Sequence, residues 1–511
     1  MDGNRPRKAA LGTQAVWLFV AKLISAGIML GVPMLLARAL DQNTYGLYRQ
    51  SSLLLGTGIQ LLVFGYIFSA YYYFPTGSER RLAAAWNVIL FLGGAGTLAL
   101  LVFTLYPQIV QIILGGNELV PYAPLIGLIL FLQCLGYPLE HFAIADGQFR
   151  LSTTFIVSIQ LSRAALLYGV AVFAPTLRNL LLAVAAQGLI QVVAFVSYVS
   201  RSFSRCWHLF DWRFFTEQFL YVLPMALAGL LYMLGLKIPS YVVSHLYTPA
   251  AFAVFSVGCF EVPFMGLVRD ALGSVMIPRV SELKFQGNLD EIRRLTAIAS
   301  SKLAIANCAF VGVLLASGPD FITFLFSRRY VASWPIFAVT LVPWLFEIPL
   351  VDPIVRAFPE VQRRVLAIRF LLLVPSVAAM VYYGPRYGMI FIAAIHVVVG
   401  GMERIYVMRL AAVRMQFRAS EWTLWRDVPK AALSAVLAAV VGRWLLHSVV
   451  AWPQFFRLLS CGVAFVLVYG LCLLATRTIT YGDFSTLLRV VRPSSPAAEL
   501  AKVQELETSV F

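Results

Sequence analysis

Residues 13–38 read TQAVWLFVAKLISAGIMLGVPMLLAR, and residues 39–48 continue as ALDQNTYGLY into a second apolar run. A helix needs about 20 apolar residues to cross the hydrocarbon of a bilayer. The first stretch exceeds that, with Lys22 as its one interior charge. Arg5, Arg7 and Lys8 precede it as they would in a secretory leader, but the apolar core of a leader runs only about 7–15 residues. The stretch is expected to remain as a first membrane span.

The pattern recurs along the chain, at about 50–74, 84–106, 122–145, 153–174, 179–200, 218–246, 250–275, 299–325, 335–357, 365–383, 387–408, 430–450 and 456–476. The 511 residues are 60% apolar and 13% charged, whereas soluble domains are about half apolar. The expectation is an all-α polytopic membrane protein of about 14 transmembrane helices, with little chain left for a separate soluble domain.

Orientation follows from the cations. With a cytoplasmic N-terminus, 24 of the 40 Lys and Arg fall in cytoplasmic segments, seven (Arg38 and Arg49 among them) in outer loops, and nine within spans. That asymmetry satisfies the rule that positive charge stays inside and puts both termini in the cytoplasm. It also accounts for most of the net charge of +16 through loop topology and attraction to anionic headgroups. No basic domain is left to bind nucleic acid. The six Cys form no CxxC pair and the five His no metal-ligand spacing, so neither a disulfide framework nor a metal site is expected. Trp residues near loop ends read as an interfacial belt.

The chain also carries a weak internal echo. Asp41-Gln42-Asn43-Thr44-Tyr45-Gly46-Leu47-Tyr48 aligns without gaps on Thr248-Pro249-Ala250-Ala251-Phe252-Ala253-Val254-Phe255, and each hairpin runs on to a basic inner segment. Six helices, six more and a terminal pair then give fourteen. The expected organisation is a lobe over 1–203, a second over 204–428, a helix pair over 429–476 and a cytoplasmic tail over 477–511. Duplication of this kind marks transporters whose halves rock about a central site; chance likeness between apolar segments is the competing account.

The turn at Asn43 to Tyr48 resembles the turn after the first helix of lipid-linked oligosaccharide flippases, the O-antigen and polysaccharide exporters of the multidrug/oligosaccharidyl-lipid/polysaccharide (MOP) superfamily. Pro278-Arg279-Val280-Ser281-Glu282-Leu283 with Gly287 to Arg294, and Phe324 through Arg328-Arg329-Tyr330 to Trp334-Pro335, are similar to two further segments of that superfamily. The resemblance implies a cavity headed by spans one and seven. It departs in span seven, where many relatives carry an acid and this chain has Leu236-Lys237.

A charge in the bilayer is costly and by default functional. Lys302, Arg356, Arg369 and Arg443 lie near span ends and can snorkel. Arg269-Asp270 and Glu403-Arg404 are expected to pair with other helices. Lys22, Arg163 and Lys237 are deep, and on the implied fold they become candidate substrate ligands, suited to a diphosphate or acidic sugar. Their alternative role is to neutralise the acids Glu140, Glu261, Glu347 and Asp352. Pro224, Pro239, Pro263, Pro343, Pro349 and Pro353 are expected to kink or break spans seven, eight and ten. Glu261 and Asp352 beside such breaks, then Glu347 and Glu140, are the candidates for coupling to Na+ or H+. No other cofactor is implied.

Three functions compete. A flippase would move a polyprenyl-diphosphate-linked oligosaccharide to the outer leaflet of the cytoplasmic membrane for surface polysaccharide synthesis. Its partners would be that substrate, membrane lipids and other polysaccharide-assembly membrane proteins. A cation-coupled drug or metabolite antiporter is the alternative, although such antiporters commonly have twelve helices. A membrane glycosyltransferase, polymerase or ligase would need paired catalytic groups within reach. The longest outer connection, at about 106–121, holds only Glu118, so no enzyme is expected.

The topology is open to test by single-cysteine labelling of intact cells. Probes at Ser78, Asn288 and Gln416 should be shielded from an impermeant thiol reagent, and probes at Asn117 and Tyr247 accessible. Outside labelling of the first three would reverse the orientation.

Overall fold

The computed structural model describes residues 27–28, 30–203, 210–417 and 419–478. Among them the chain is helical, without a strand. Eleven helices are long and apolar enough to cross a membrane singly, and a twelfth crossing is the bent pair Gln42–Val63 and Tyr66–Thr76. Two expected spans remain. The eighth is broken into Pro249–Gly258 and Pro263–Phe285, and of the first only its end, Leu30–Ala39, lies among the described residues. The protein is a multi-pass membrane protein.

The chain divides into two compact units. The first comprises Met1–Pro263, Ile322–Pro343 and Glu360–Ile405. It opens with α1 (Leu30–Ala39), α2 (Gln42–Val63), α3 (Ser69–Tyr73), α4 (Ser78–Leu105), α5 (Ile109–Leu114), α6 (Ala123–Gly136), α7 (Pro138–Ala145), α8 (Phe149–Phe173) and α9 (Leu177–Ser202). These are followed by α10 (Trp212–Leu246) and α11 (Pro249–Gly258).

The aligned turns begin α2 and α11 in the same way. The Asp41 carboxylate accepts from the Thr44 N–H at 2.9 Å, and the Thr248 hydroxyl accepts from the Ala251 N–H at 3.3 Å. Each satisfies one of the donors that a helix start leaves open. The backbone hydrogen bonds hold Asp41 below the usual carboxylate range. Tyr45 and Tyr48 are buried on one side, and Phe252 and Phe255 on the other. The two helices then pack on each other, so closely that a Cβ on Gly46 would stand 1.8 Å from the Pro249 carbonyl oxygen. A glycine is required there by space and not by φ.

The segment from Phe324 to Pro335 closes around this pair. It includes the end of α14 (Pro319–Leu325) and the start of α15 (Trp334–Leu341). Arg38 donates to the carbonyls of Phe324 and Leu325, where the end of a helix favours positive charge. Gln42 donates to the Arg329 carbonyl at 2.6 Å, Tyr45 and Tyr330 meet edge-on at 5.7 Å, and Ser333 donates to the Val254 carbonyl at 2.8 Å. Two of the three family-like segments therefore belong to one packed cluster.

Of the kink or break expected there, α10 shows no break, staying continuous through Pro224 and Pro239. Buried polar groups tie it down at both ends. Near its start Gln218 accepts from Asn87 at 3.1 Å and donates to Ser69 at 2.6 Å. Near its end Ser244 accepts from Gln50 at 3.0 Å and donates to the Leu114 carbonyl at 3.1 Å.

Breaks do occur elsewhere. Residues 259–262 leave the helix between α11 and α12 (Pro263–Phe285), and residues 347–351 between α16 (Pro343–Phe346) and α17 (Asp352–Ala357). In the first unit Thr340 donates to the freed Gly258 carbonyl at 3.1 Å. In the second unit, comprising Phe264–Phe321, Trp344–Pro359 and Tyr406–Phe511, Asn307 donates to the Trp344 carbonyl at 2.8 Å and Ser300 accepts from the Leu350 N–H at 3.0 Å. These two come from α13 (Leu289–Ser317). A core of Ala304, Cys308, Ala431, Ala435 and Phe465 joins α13 to α20 (Asp427–Ser448) and α21 (Gln454–Ala475). The remaining long helices are α18 (Pro359–Tyr387) and α19 (Met389–Arg414).

Replacing Gly46 by Ala should cost about 1–3 kcal/mol through overpacking against backbone that cannot give way. Gly56, in the same helix, has nothing within 4 Å of its Cβ position, so Gly56→Ala should be neutral or stabilising by about 0.5–1 kcal/mol. Thermal melts of the purified protein read both. Equal melting of Gly46→Ala and the parent would refute the close approach.

Candidate functional site

A cavity of about 420 Å³ lies in the first unit, lined from α2, α6, α7, α8 and α9. Pro138 divides α6 from α7 at Tyr137, and Glu140 and His141 follow on the cavity wall. α9 approaches closely, for a Cβ on Gly136 would meet Gln191 at 2.8 Å and one on Gly188 would meet Leu132 at 3.1 Å. Gln191 donates to the Gly136 carbonyl at 3.0 Å and accepts from Gln187 at 3.1 Å.

Two of the sequence candidates line this cavity, Arg163 from α8 and Glu140 from α7. Arg163 is half-buried and makes no ion pair among the described residues. Glu140 stands 3.8 Å from His141 Nδ1. Ten of the seventeen lining residues carry polar side chains, four of them Gln. The glutamines are absent from the sequence reading, which considered only ionisable groups in spans.

Arg49, Glu261 and Lys237 form a second charged group, each near enough to the Cys259 thiol to act on it electrostatically. Lys237, on α10, is half-buried; Glu261 lies in the unwound segment and is exposed. Arg49 is the residue that sequence reasoning missed. It was expected in an outer loop, but the Asp41 cap starts the helix at Gln42 and puts Arg49 about two turns inside α2. Its Nε is buried and has no hydrogen-bond partner among the described residues. The polar turn at Asp41 was the signal that could have found it. Among the described residues neither Arg49 nor Lys237 forms an ion pair.

The remaining candidates are placed differently. Lys22 lies outside the described residues. Glu347 accepts from Arg269 at 2.7 Å, and Arg269 also reaches Asp270 at 3.3 Å and lies over the Trp344 ring at 5.9 Å. Asp352 is the first residue of α17. Arg369, expected to snorkel, instead donates to Glu403 at 3.1 Å and sits 5.0 Å over Tyr232, because a carboxylate lies within reach on the neighbouring helix. Among the described residues no group of His, Cys, Asp and Glu could hold a metal ion.

The pairing of Glu347 has a measurable consequence. Glu347→Gln should leave the Arg269 charge with only the exposed Asp270 beside it and destabilise the protein by about 1–3 kcal/mol. The double variant with Arg269→Gln should recover part of that loss, since removing both charges removes the unpaired one. Thermal melts of the two single variants and the double one give the coupling; strictly additive losses would show that the pair does not matter.

No family model matches the sequence, and no curated protein matches it. Solved structures do match. A lipid II flippase MurJ in an inward closed conformation aligns with a TM-score of 0.69 at 12% identity, over 89% of this chain and 98% of that one. An inward-facing multidrug resistance MATE family transporter of the MOP superfamily aligns with a TM-score of 0.61 at 11% identity, over 79% and 98%. A MATE P26A mutant gives 0.51 at 12% identity, over 79% and 96%. The chain has the fold shared by these membrane transporters of the MOP superfamily.

Proposed function

We propose that the protein is a flippase that moves a polyprenyl-diphosphate-linked oligosaccharide from the inner to the outer leaflet of the cytoplasmic membrane by alternating access, with both termini in the cytoplasm. The observation that carries this reading is the pair of intramembrane cations without an ion-pair partner among the described residues, Arg49 and Lys237; Arg163, on the cavity wall with Glu140, is proposed as a ligand for another part of the substrate. A charge left unpaired in a membrane protein is costly, and a diphosphate arriving with the substrate would offset that cost. Lys presents a compact charge and Arg a fork, both suited to phosphate. Lys22 is proposed as a further ligand on sequence grounds. The fold supports transport, and a lipid II flippase shares it.

Alternating access needs a ligand that binds one state better than the other. The packed ends of α2 and α11 suit one closed state. Glu261, in broken backbone, is the proposed coupling acid, as is Asp352 at the start of α17; broken helices can supply carbonyl ligands to Na+ or admit water for a proton. The second reading, a cation-coupled drug antiporter, draws on Glu140, an acid on the cavity wall.

Proteoliposomes loaded with a fluorescent polyprenyl-diphosphate oligosaccharide test the assignment through quenching of the outward-facing label. Lys237→Glu and Arg49→Gln should each cost about 2 kcal/mol or more of substrate binding, a fall of about thirtyfold in apparent affinity, with normal amounts of folded protein. Full flipping by both variants would sink the cation role. Gradient-driven uptake of a lipophilic cation without flipping would favour the antiporter. Full gradient-driven transport by Glu261→Gln and Asp352→Asn would remove the coupling role.

A further inference from the structure

The cavity and the charged group near Cys259 differ in chemistry, and that difference separates two parts of one substrate. The cavity wall holds one Arg and one Glu, so its formal charge balances when His141 is neutral. A diphosphate gains little from such a wall. The seat for an apolar or amphiphilic drug would be mostly apolar with a few placed polar groups, whereas here ten of the seventeen lining residues carry polar side chains.

The polar groups are of a particular kind. Gln133 and Gln160 line the cavity and have no hydrogen-bond partner among the described residues. Each amide carries two donors and an oxygen acceptor, so each can grip a donor and an acceptor on adjacent atoms, as vicinal hydroxyls present them. Two rings, Tyr137 and His141, share the lining with them, and Phe68 and Tyr71 lie outside it. Tyr137 stacks on His141 at 5.1 Å and 20°, while Phe68 and Tyr71 flank the same imidazole at 6.1 and 6.2 Å. A pyranose offers C–H groups on its faces and hydroxyls on its rim, which is the pattern this wall complements. The volume lies within the roughly 300–1,000 Å³ typical of small-molecule sites.

We infer that this cavity is a saccharide subsite: Gln133 and Gln160 bind sugar hydroxyls, the Tyr137–His141 stack takes a sugar face, and the diphosphate lies instead near Arg49 and Lys237. The inference rests on the flippase reading and adds which part of the glycan lipid each group recognises. Gln133, Gln160 and Tyr137 then set glycan specificity, because a site built to hydrogen-bond hydroxyls rejects ligands that lack them.

Binding to the full-length protein in lipid nanodiscs tests it, with three probes: neutral di- and trisaccharides of glucose, galactose and N-acetylglucosamine, and tetraphenylphosphonium, both read by proton saturation-transfer NMR, and inorganic pyrophosphate, read by broadening of its 31P line. The parent should bind at least one saccharide. Gln160→Leu and Gln133→Leu should weaken it roughly tenfold and leave pyrophosphate binding unchanged, which also reports that the variants are folded. Gln160→Asn serves as a gentler variant with a smaller loss. Pyrophosphate binding without saccharide binding, or saccharide binding indifferent to all three variants, overturns the subsite and leaves the flippase reading standing. Tetraphenylphosphonium binding with neither saccharide nor pyrophosphate overturns both, and binding of no probe overturns the subsite.

Discussion

A peptide group without a partner in hydrocarbon costs several kcal/mol, and the helix breaks of this chain are organised around that cost. Thr340 donates to the carbonyl that α11 leaves free at Gly258. Ser300 and Asn307, both on α13, serve the backbone around the break in span ten. Their depth explains why polar side chains at 300 and 307 are among the most buried in the molecule. Each break exists because a neighbouring helix has a hydroxyl or amide at the right height. Each in turn frees an acid, Glu261 or Glu347, from regular helix.

The same accounting explains why some prolines break helices and others do not. Pro224 and Pro239 remove donors from α10 just as surely, yet the helix runs on. It is held near both ends by Gln218 and Ser244. Those partners are far away in sequence: Gln218 meets Asn87 and Ser69, and Ser244 meets Gln50 and Leu114. A proline in a span therefore announces a lost hydrogen bond, and tertiary neighbours decide whether a break follows. That is why the prolines were visible in the sequence and their outcomes were not.

The spans, the broken eighth helix and the pairing of Arg269 were legible, because hydropathy and the cost of an unpaired charge act locally or through simple counting. The gapless alignment of the turns was legible too, whereas the equivalent capping by Asp41 and Thr248 emerged only in the structure. Gly46 shows what lay beyond reach. Its partner at Ala253 carries a Cβ, and only the approach of Pro249 makes the glycine necessary. Arg49 was misplaced by treating apolarity as the start of a helix, when the capping carboxylate is the earlier signal. The cavity was missed for another reason: Gln133, Gln160, Gln187 and Gln191 come from three different helices, and uncharged amides in spans carry no mark of a shared site.

Sorting the intramembrane cations by partner separates scaffold from site. Arg269 and Arg369 are matched by carboxylates and rest on aromatic rings. They are neutralised where they stand, and their contribution is to hold helices together. Arg49 and Lys237 have no such match among the described residues, where the Nε of Arg49 is buried with no acceptor. A membrane protein that can pair Arg269 with Glu347 at 2.7 Å has the means to pair these as well. Leaving them open holds free energy in reserve for a ligand that brings its own negative charge, and an anionic headgroup is the component of a lipid-linked substrate that does so. Polar side chains near Arg163 then meet what remains of such a substrate, its hydroxyls, at a wall where Glu140 offsets the Arg163 charge.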